Sequence, residues 1–303
     1  MKPTITVLMP VYNVEKYVGT AIESILTQTF EDFELMIIDD ASTDHTFEII
    51  SQYNDKRIRK IRNHTNIGIA SSLNKGLAMT NSIYVARMDG DDISKPTRFE
   101  KQLAYMKSNS DLGILGSHME LINDYGVVLK EQHKKMGRMN IKLGLFFGNT
   151  SLAHPSILIR KSELDKFHLR YDSAFQYAED YDLYCRSSQH IEFDNYPECL
   201  VQYRIHSESV SQKFHNQQII DAKMALYLHL RRLKFPINER DFSTHTFLSF
   251  PPQIWDAETK NKVIKWIYYL TSWNKRNNLF PHITFSKCCE QYLSKIIQGE
   301  KIL

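Results

Sequence analysis

The chain has 303 residues, 42% apolar and 24% charged, with only 11 Gly and 9 Pro, which excludes collagen-like and low-complexity disordered chains. No run of about 18 apolar residues occurs, the N-terminal Met1-Lys2-Pro3-Thr4 lacks a signal-peptide pattern, and Cys185, Cys199, Cys288 and Cys289 form no CxxC pair, so a spanning helix, a zinc ribbon and a disulfide scaffold are excluded and a cytoplasmic, reduced protein is expected. The net charge of +3 hides an asymmetry, because 211–303 carries 14 Lys/Arg against 7 Asp/Glu while the remainder carries 24 against 28.

The first half alternates strand-like and helix-like segments. Thr4 to Met9 is an apolar β-rich run ended by Pro10, and Val14 to Gln28 shows apolar residues at helical spacing. Phe33 to Ile38 is a second strand, stopped by Asp39-Asp40, and Ser42-Thr43-Asp44 starts a helix to Tyr53. Ile58 to Ile61 reads as a third strand, Ile69 to Met79 as a helix, and Ile83 to Met88 as a fourth strand stopped by acids. Pro96 opens a helix to about Ser108. In the middle, Ile114 to Val128 reads as a strand pair turning at Asn123-Asp124-Tyr125-Gly126, Ser156 to Arg160 as a strand, Ala178 to Gln189 as a helix, and Leu200 to Ile205 as a strand ending at His206. Beyond Ser211 the pattern is helical. The whole predicts an α/β fold with a mostly parallel, Rossmann-like central sheet flanked by helices, plus a helical C-terminal extension.

In such sheets ligands sit beyond the carboxyl ends of the strands. The polar punctuation falls there: Tyr12-Asn13, Asp39-Asp40 and Asp89-Gly90-Asp91-Asp92 would share one rim. Carboxylates at i and i+2 in a turn can face one hard divalent cation, Mg²⁺ or Mn²⁺, that also takes phosphate oxygens from a substrate. The alternative is a solvated acidic turn, which the position after a buried-type strand disfavours. Neither GxxxxGK[ST] nor GxGxxG is present, which argues against a P-loop and a dinucleotide site and leaves a diphosphate donor held by metal and side chains, such as a nucleotide-sugar. Ala178-Glu179-Asp180-Tyr181-Asp182 is a second acidic group, read either as a general base or as an acidic first helical turn. His206 reads either as structural or as a nitrogen ligand.

Six stretches carry a resemblance: Met9 to Asn13, Ile38 to Asp44, Asn66-Ile67-Gly68, Arg87 to Asp92, Ala178 to Asp182, and Tyr203-Arg204-Ile205-His206. In this order and spacing, over about the first 215 residues, they resemble the family 2 glycosyltransferases, which have the GT-A fold. Ser72 to Leu77, Tyr84 to Asp89 and Tyr196 to Arg204 are similar to bacterial lipooligosaccharide and O-antigen β-1,3-N-acetylhexosaminyltransferases; the chain departs from them between the middle strands, where it is shorter, and in the tail.

The resemblance implies a GT-A domain over 1–215, with a nucleotide-binding half (1–115) and an acceptor-binding half (116–215), followed by a basic, aromatic helical region over 216–303. It implies that Pro10, Tyr12 and Asn13 shape a uridine pocket, that Asp40 accepts from the uracil N–H, and that Asn66 and Gly68 lie beside the base. It implies that Asp89 contacts the ribose or the metal-bound diphosphate, that Asp91 is the principal Mn²⁺ or Mg²⁺ ligand with His206 a second, and that Asp180 is the catalytic base with Glu179 beside it. The implied reaction is an inverting, non-processive transfer of GlcNAc or GalNAc from a UDP-sugar to a saccharide or glycolipid acceptor, since the processive Gln-x-x-Arg-Trp motif is missing. His154-Pro155-Ser156 reads as an acceptor-mouth segment or as a simple turn. A non-catalytic nucleotide-sugar-binding scaffold is the alternative; a nucleotidyltransferase would carry a basic glycine-rich loop near the N-terminus, and Pro10-Val11-Tyr12-Asn13 is not one.

The tail mixes Trp266 and Trp273 with Lys260, Lys262, Lys265, Lys275 and Arg276, a pattern suited to the cytoplasmic face of the inner membrane or to packing against the core or a second protomer. Nucleic acid is not an expected partner, because zinc-finger, RNP and KH signatures are absent.

Overall fold

The computed structural model describes residues 2–149, 151–207, 209–252 and 255–298. Strand β1 (Ile5–Val11) is buried along its whole length, as a strand covered on both faces must be. It pairs in parallel with β2 (Phe33–Asp39) and β4 (Tyr84–Arg87), and β2 pairs in parallel with β3 (Ile58–Arg62). Helices α1 (Val18–Leu26), α2 (Thr46–Gln52) and α3 (Ile69–Met79) connect these strands. The second part contains β5 (Ile93–Ser94), α4 (Arg98–Ser108), β6 (Leu112–Ile122), β7 (Val128–Gln132), α5 (Arg138–Phe146), a 3-10 turn (His154–Ser156), β8 (Leu158–Arg160), α6 (Lys161–Lys166), α7 (Glu179–Ser187) and β9 (Glu192–Arg204). Five helices follow: α8 (Val210–Lys213), α9 (His215–Arg232), α10 (Glu239–Thr246), α11 (Ala257–Asn277) and α12 (His282–Gln298).

One sheet runs β3-β2-β1-β4-β8-β6-β9-β5, with β7 on the far half of β6. Strand β8 is antiparallel to β4 and β6, β9 is parallel to β6, and β5 is antiparallel to β9. Successive side chains point to opposite faces. Ile5, Val7, Met9 and Val11 therefore pack with α1, α2 and α4, while Leu8, Met36 and Ile38 pack with α3, α5, α7 and the C-terminal helices. The register pairs Val11 with Asp39 and Leu8 with Arg87, so the loops after β1, β2 and β4 leave the same edge, as the sequence predicts.

The differences from the sequence reading have local causes. The first helix begins at Val18 rather than Val14, because the preceding backbone is bound elsewhere: Val14 N–H donates to Thr46 Oγ1 (2.8 Å) and Glu15 N–H to Asp44 Oδ2 (3.1 Å). Strand β9 starts at Glu192 rather than Leu200, and crosses Pro197 with register shifts against β6. Position 115/116 falls within β6 and 215/216 at the start of α9.

The two tryptophans of α11 turn inward. Trp266 and Trp273 are buried with Phe146, Phe235 and Phe285. The Trp266 indole N–H donates to His245 Nδ1 (3.1 Å), leaving Nε2 to donate to the Phe146 carbonyl (2.8 Å). Burial holds the His245 pKa down at about 4, so this imidazole is neutral. Tyr268, Tyr269, Lys262, Lys265, Lys275 and Arg276 stay exposed on α11. No helix among the described residues is long and apolar enough to cross a membrane.

Candidate active site

The loops after β1 and β2 are stitched together by short polar side chains. Asn13 (φ +52°) donates its N–H to Ser42 Oγ (3.0 Å) and accepts from Thr43 N–H on Oδ1 (2.8 Å). Pro10 sits one step inside the rim opposite Ile38, and Tyr12 projects beyond it, 47% exposed. Asp40 is buried and gathers the next loop: its carboxylate accepts from Asn63 Nδ2 (2.8 Å), Ile67 N–H (2.9 Å) and Gly68 N–H (2.8 Å). Gly68 has φ +83°, which only glycine adopts without strain, and this turn aims its N–H at Asp40. Asn66 is exposed beside it, its Oδ1 accepting from Gly68 N–H (3.2 Å). The six residues assigned to the nucleotide thus line one end of the rim.

The acidic turn after β4 lies against β1. A Cβ on Gly90 would come within 2.6 Å of Val11 Cγ1, so the turn can approach only as glycine. One oxygen from each of Asp89, Asp91 and Asp92 lies within 4.8 Å of the others. Asp89 pairs with Arg87. Asp91 Oδ2 is 2.9 Å from His206 Nε2. Asp92 accepts from Arg204 N–H on Oδ1 (2.8 Å), while its Oδ2 is buried without a hydrogen-bond partner among the described residues. Burial, reinforced by Asp91 and Asp89, raises the Asp92 pKa well above the ordinary carboxylate value; burial raises Asp89 too. A carboxylate cluster with an orphaned buried oxygen fits a hard divalent cation, whose charge would offset that repulsion. His206 joins through Asp91, under the Tyr17 ring (centroids 4.9 Å apart), and Tyr17 OH donates to Asp124 Oδ1 (2.7 Å). Burial pushes that phenol up to about 12.

The second acidic group opens α7, where carboxylates suit the helix N-terminus. Asp180 accepts its neighbour's N–H, from Tyr181, on Oδ1 (2.7 Å). Glu179 is 6% exposed, and burial followed by the charge of Asp180 pushes its pKa up to about 8. Burial raises Asp180 as well. The buried Glu179 and the half-buried Asp180 beside it hold protons more tightly than an exposed carboxyl does, which is the property a proton acceptor near neutrality needs.

Residues without an assigned role in the sequence reading connect these groups. Arg87, the last residue of β4, is 3% exposed, and its charge acts on Asp89, Glu179 and Asp180 alike. Behind it Arg98, fully buried, donates Nη2–H to the Arg87 carbonyl (2.8 Å), its pKa lowered to about 9 by burial and by Arg87. The Lys134 ammonium is lowered to about 8 by burial, while Asp180 pulls it back up. His154 is not at an exposed mouth: it sits 8% exposed in the 3-10 turn, its Nε2 2.9 Å from Tyr171 OH and its Nδ1 3.6 Å from Glu179 Oε1. The available signals were a charged residue ending an apolar strand (Arg87) and a third acid in the turn (Asp92).

Comparison with known proteins bears on this geometry. Residues 6–167 match the model of a family described as glycosyl transferase family 2. An uncharacterized glycosyltransferase of Haemophilus influenzae is 32% identical over 284 residues, covering 88% of this chain and 85% of the relative. The O-antigen biosynthesis glycosyltransferase WbnJ of Escherichia coli is 37% identical over 221 residues, covering 69% of this chain and 82% of WbnJ. Among solved structures, S. aureus TarS 1-349 in complex with UDP-GlcNAc has the same fold, with a TM-score of 0.58 at 16% identity over 99% of this chain and 93% of that one.

Proposed function

The chain belongs to glycosyl transferase family 2, and from that premise we propose that it is an inverting, metal-dependent, non-processive enzyme moving GlcNAc or GalNAc from a UDP-sugar to a hydroxyl of a surface-glycan or glycolipid acceptor. What carries this reading is one observation: one buried arginine, Arg87, pairs with Asp89 of the Asp89–Asp91–Asp92 cluster, and its charge also acts on Glu179 and Asp180. The similarity to WbnJ supports the glycan class, and the bound UDP-GlcNAc of TarS supports the donor class.

In this reading 1–115 binds the donor and 116–215 the acceptor. Pro10, Tyr12 and Asn13 flank the base, Asp40 and the Asn66–Gly68 loop hold its edge, and Asp89 faces the ribose or diphosphate. Asp91, Asp89 and His206 would hold Mn²⁺ or Mg²⁺, which when bound neutralises charge on the departing diphosphate. Asp180 takes the proton from the acceptor hydroxyl while that oxygen bonds to the anomeric carbon and the bond to UDP breaks on the opposite face. Glu179 orients the sugar or the acceptor beside it. The protein acts in the cytoplasm, with the exposed Tyr268, Tyr269, Lys262, Lys265, Lys275 and Arg276 of α11 facing the inner membrane or a second protomer.

The test is UDP release from UDP-GlcNAc, UDP-GalNAc, UDP-Glc and UDP-Gal with Mn²⁺, with and without a lactose-type acceptor. Release favouring one N-acetylhexosamine donor, stimulated by acceptor and abolished by EDTA, is the expected result. Silence across the panel with UDP still bound would replace it with the non-catalytic nucleotide-sugar-binding scaffold.

A further inference from the structure

Behind the acidic pair lie two buried groups that the proposed reaction does not use, His154 and Tyr171, set against Glu179. Tyr171, His154 and Glu179 are each less than 9% exposed. The Tyr171 hydroxyl is 2.9 Å from His154 Nε2, and His154 Nδ1 faces Glu179 Oε1 at 3.6 Å. The first is a hydrogen bond; the second is just beyond hydrogen-bond range.

Tyr171 is itself anchored across the molecule. Its N–H donates to Asn74 Oδ1 (3.0 Å) and its carbonyl accepts from Asn74 Nδ2 (2.8 Å). Asn74 belongs to α3, the helix that begins at the Gly68 turn held by Asp40. A path of directed bonds therefore runs from the rim loop assigned to the nucleotide to His154, whose Nδ1 faces the carboxyl beside the base.

We propose that His154 is a positioning residue for Glu179, with Tyr171 fixing the imidazole and α3 fixing Tyr171. This rests on the reading that Glu179 serves the transfer at Asp180. The imidazole is well suited to the task. Burial, and then the charge of Arg87, holds its pKa well below the ordinary histidine value, so it stays neutral and adds no second cation beside Arg87. A neutral imidazole carries one N–H and one acceptor nitrogen. With Glu179 ionised, Nδ1–H points at the carboxylate and Nε2 accepts from the Tyr171 hydroxyl. With Glu179 protonated, the carboxyl O–H points at Nδ1 and Nε2–H donates to the Tyr171 oxygen. The same two contacts thus hold Glu179 in either protonation state, which Asn or Gln at position 154 cannot reproduce by exchanging one proton. Burial also raises the Tyr171 phenol, which keeps its proton and can act as donor or acceptor.

The test is a double-mutant cycle on the full chain, reading kcat and the KM for donor separately. His154→Gln is expected to lower kcat about tenfold, with donor KM changed less than about twofold. Tyr171→Phe removes only the hydroxyl, keeps the backbone pair with Asn74, and is expected to move kcat in the same direction; it serves alone should His154→Gln fail to fold. In a Glu179→Gln background neither substitution should lower kcat further by more than about twofold. Full additivity in that background, or a loss confined to KM, would overturn the positioning role. A Glu179→Gln enzyme with wild-type kcat would instead remove the reading on which it rests.

Discussion

Two of the pairs of adjacent acids in this site, Asp39-Asp40 and Glu179-Asp180, have been put to different uses. Asp39-Asp40 closes β2: Asp39 lies 3.1 Å from Arg62 Nε and accepts from Ser42 N–H (3.3 Å), and Asp40 accepts three N–H bonds from the Asn63–Gly68 loop. Glu179-Asp180 opens α7: Asp180 accepts one N–H from its own neighbour, and Glu179 is pushed up to about 8 by burial and by Asp180. In the first pair Asp40 is surrounded by donors and organises backbone. The second is surrounded by burial and by other acids, and its charge is costly. A carboxylate already supplied with donors holds a loop; one short of donors has affinity left for a proton or a substrate hydroxyl.

The largest effect that separates the pairs is on turnover. Asp180→Asn keeps shape and hydrogen-bonding reach but cannot take a proton, so kcat should fall by about 10²–10⁴-fold while UDP affinity by calorimetry stays near wild type. Turnover within a few-fold of wild type would strip Asp180 of the base role and leave the two pairs equivalent. Asp40→Asn should do the reverse. One of its two amide positions becomes an N–H₂ facing the N–H of Gly68 or Ile67, so the protein should lose about 2–4 kcal/mol of stability in urea unfolding, with UDP affinity reduced along with the loop. An unchanged urea midpoint would mean that the loop is held by other contacts.

How far the sequence reveals this contrast depends on distance along the chain. The rim was legible because apolar strands end abruptly in acids, and period-2 burial leaves no other edge for those acids. Asp89 and Asp91 were legible as a turn with a glycine between them. The partners were not: His154 meets Tyr171 and Glu179 from 17 and 25 positions away, and Asn74 meets Tyr171 across 97. Arg87 looks like the end of a strand until burial shows that it has no water to reach. Trp266 and Trp273 fit a membrane-facing stripe and a buried stripe equally well, because helical spacing does not say which side is covered; Phe235 and Phe285 decide it. Strand β9 was half hidden because Pro197 and the exposed Glu198 interrupt its alternation.

The last effect is the most selective, because it reads the unfilled pair without substrate. The Glu179 carboxyl titrates near 8 when folded and near 4.5 in its ordinary state. Between those values the folded protein holds a proton that the unfolded chain has released. The stabilisation from this proton is complete below about pH 4.5 and is lost as pH rises towards 8, at no more than about 1.4 kcal/mol per pH unit. His154 contributes with the opposite sign: its folded pKa is depressed, so its neutral burial costs stability below the ordinary histidine range and none above it. Wild-type stability alone mixes the two, but wild type against Glu179→Gln does not, since His154 is common to both. Urea midpoints measured from pH 5 to pH 8 should therefore move in favour of the variant as pH rises. Parallel curves would mean that Glu179 titrates like an exposed carboxyl, and the difference between the filled and unfilled acid pairs would then rest on Asp180 alone.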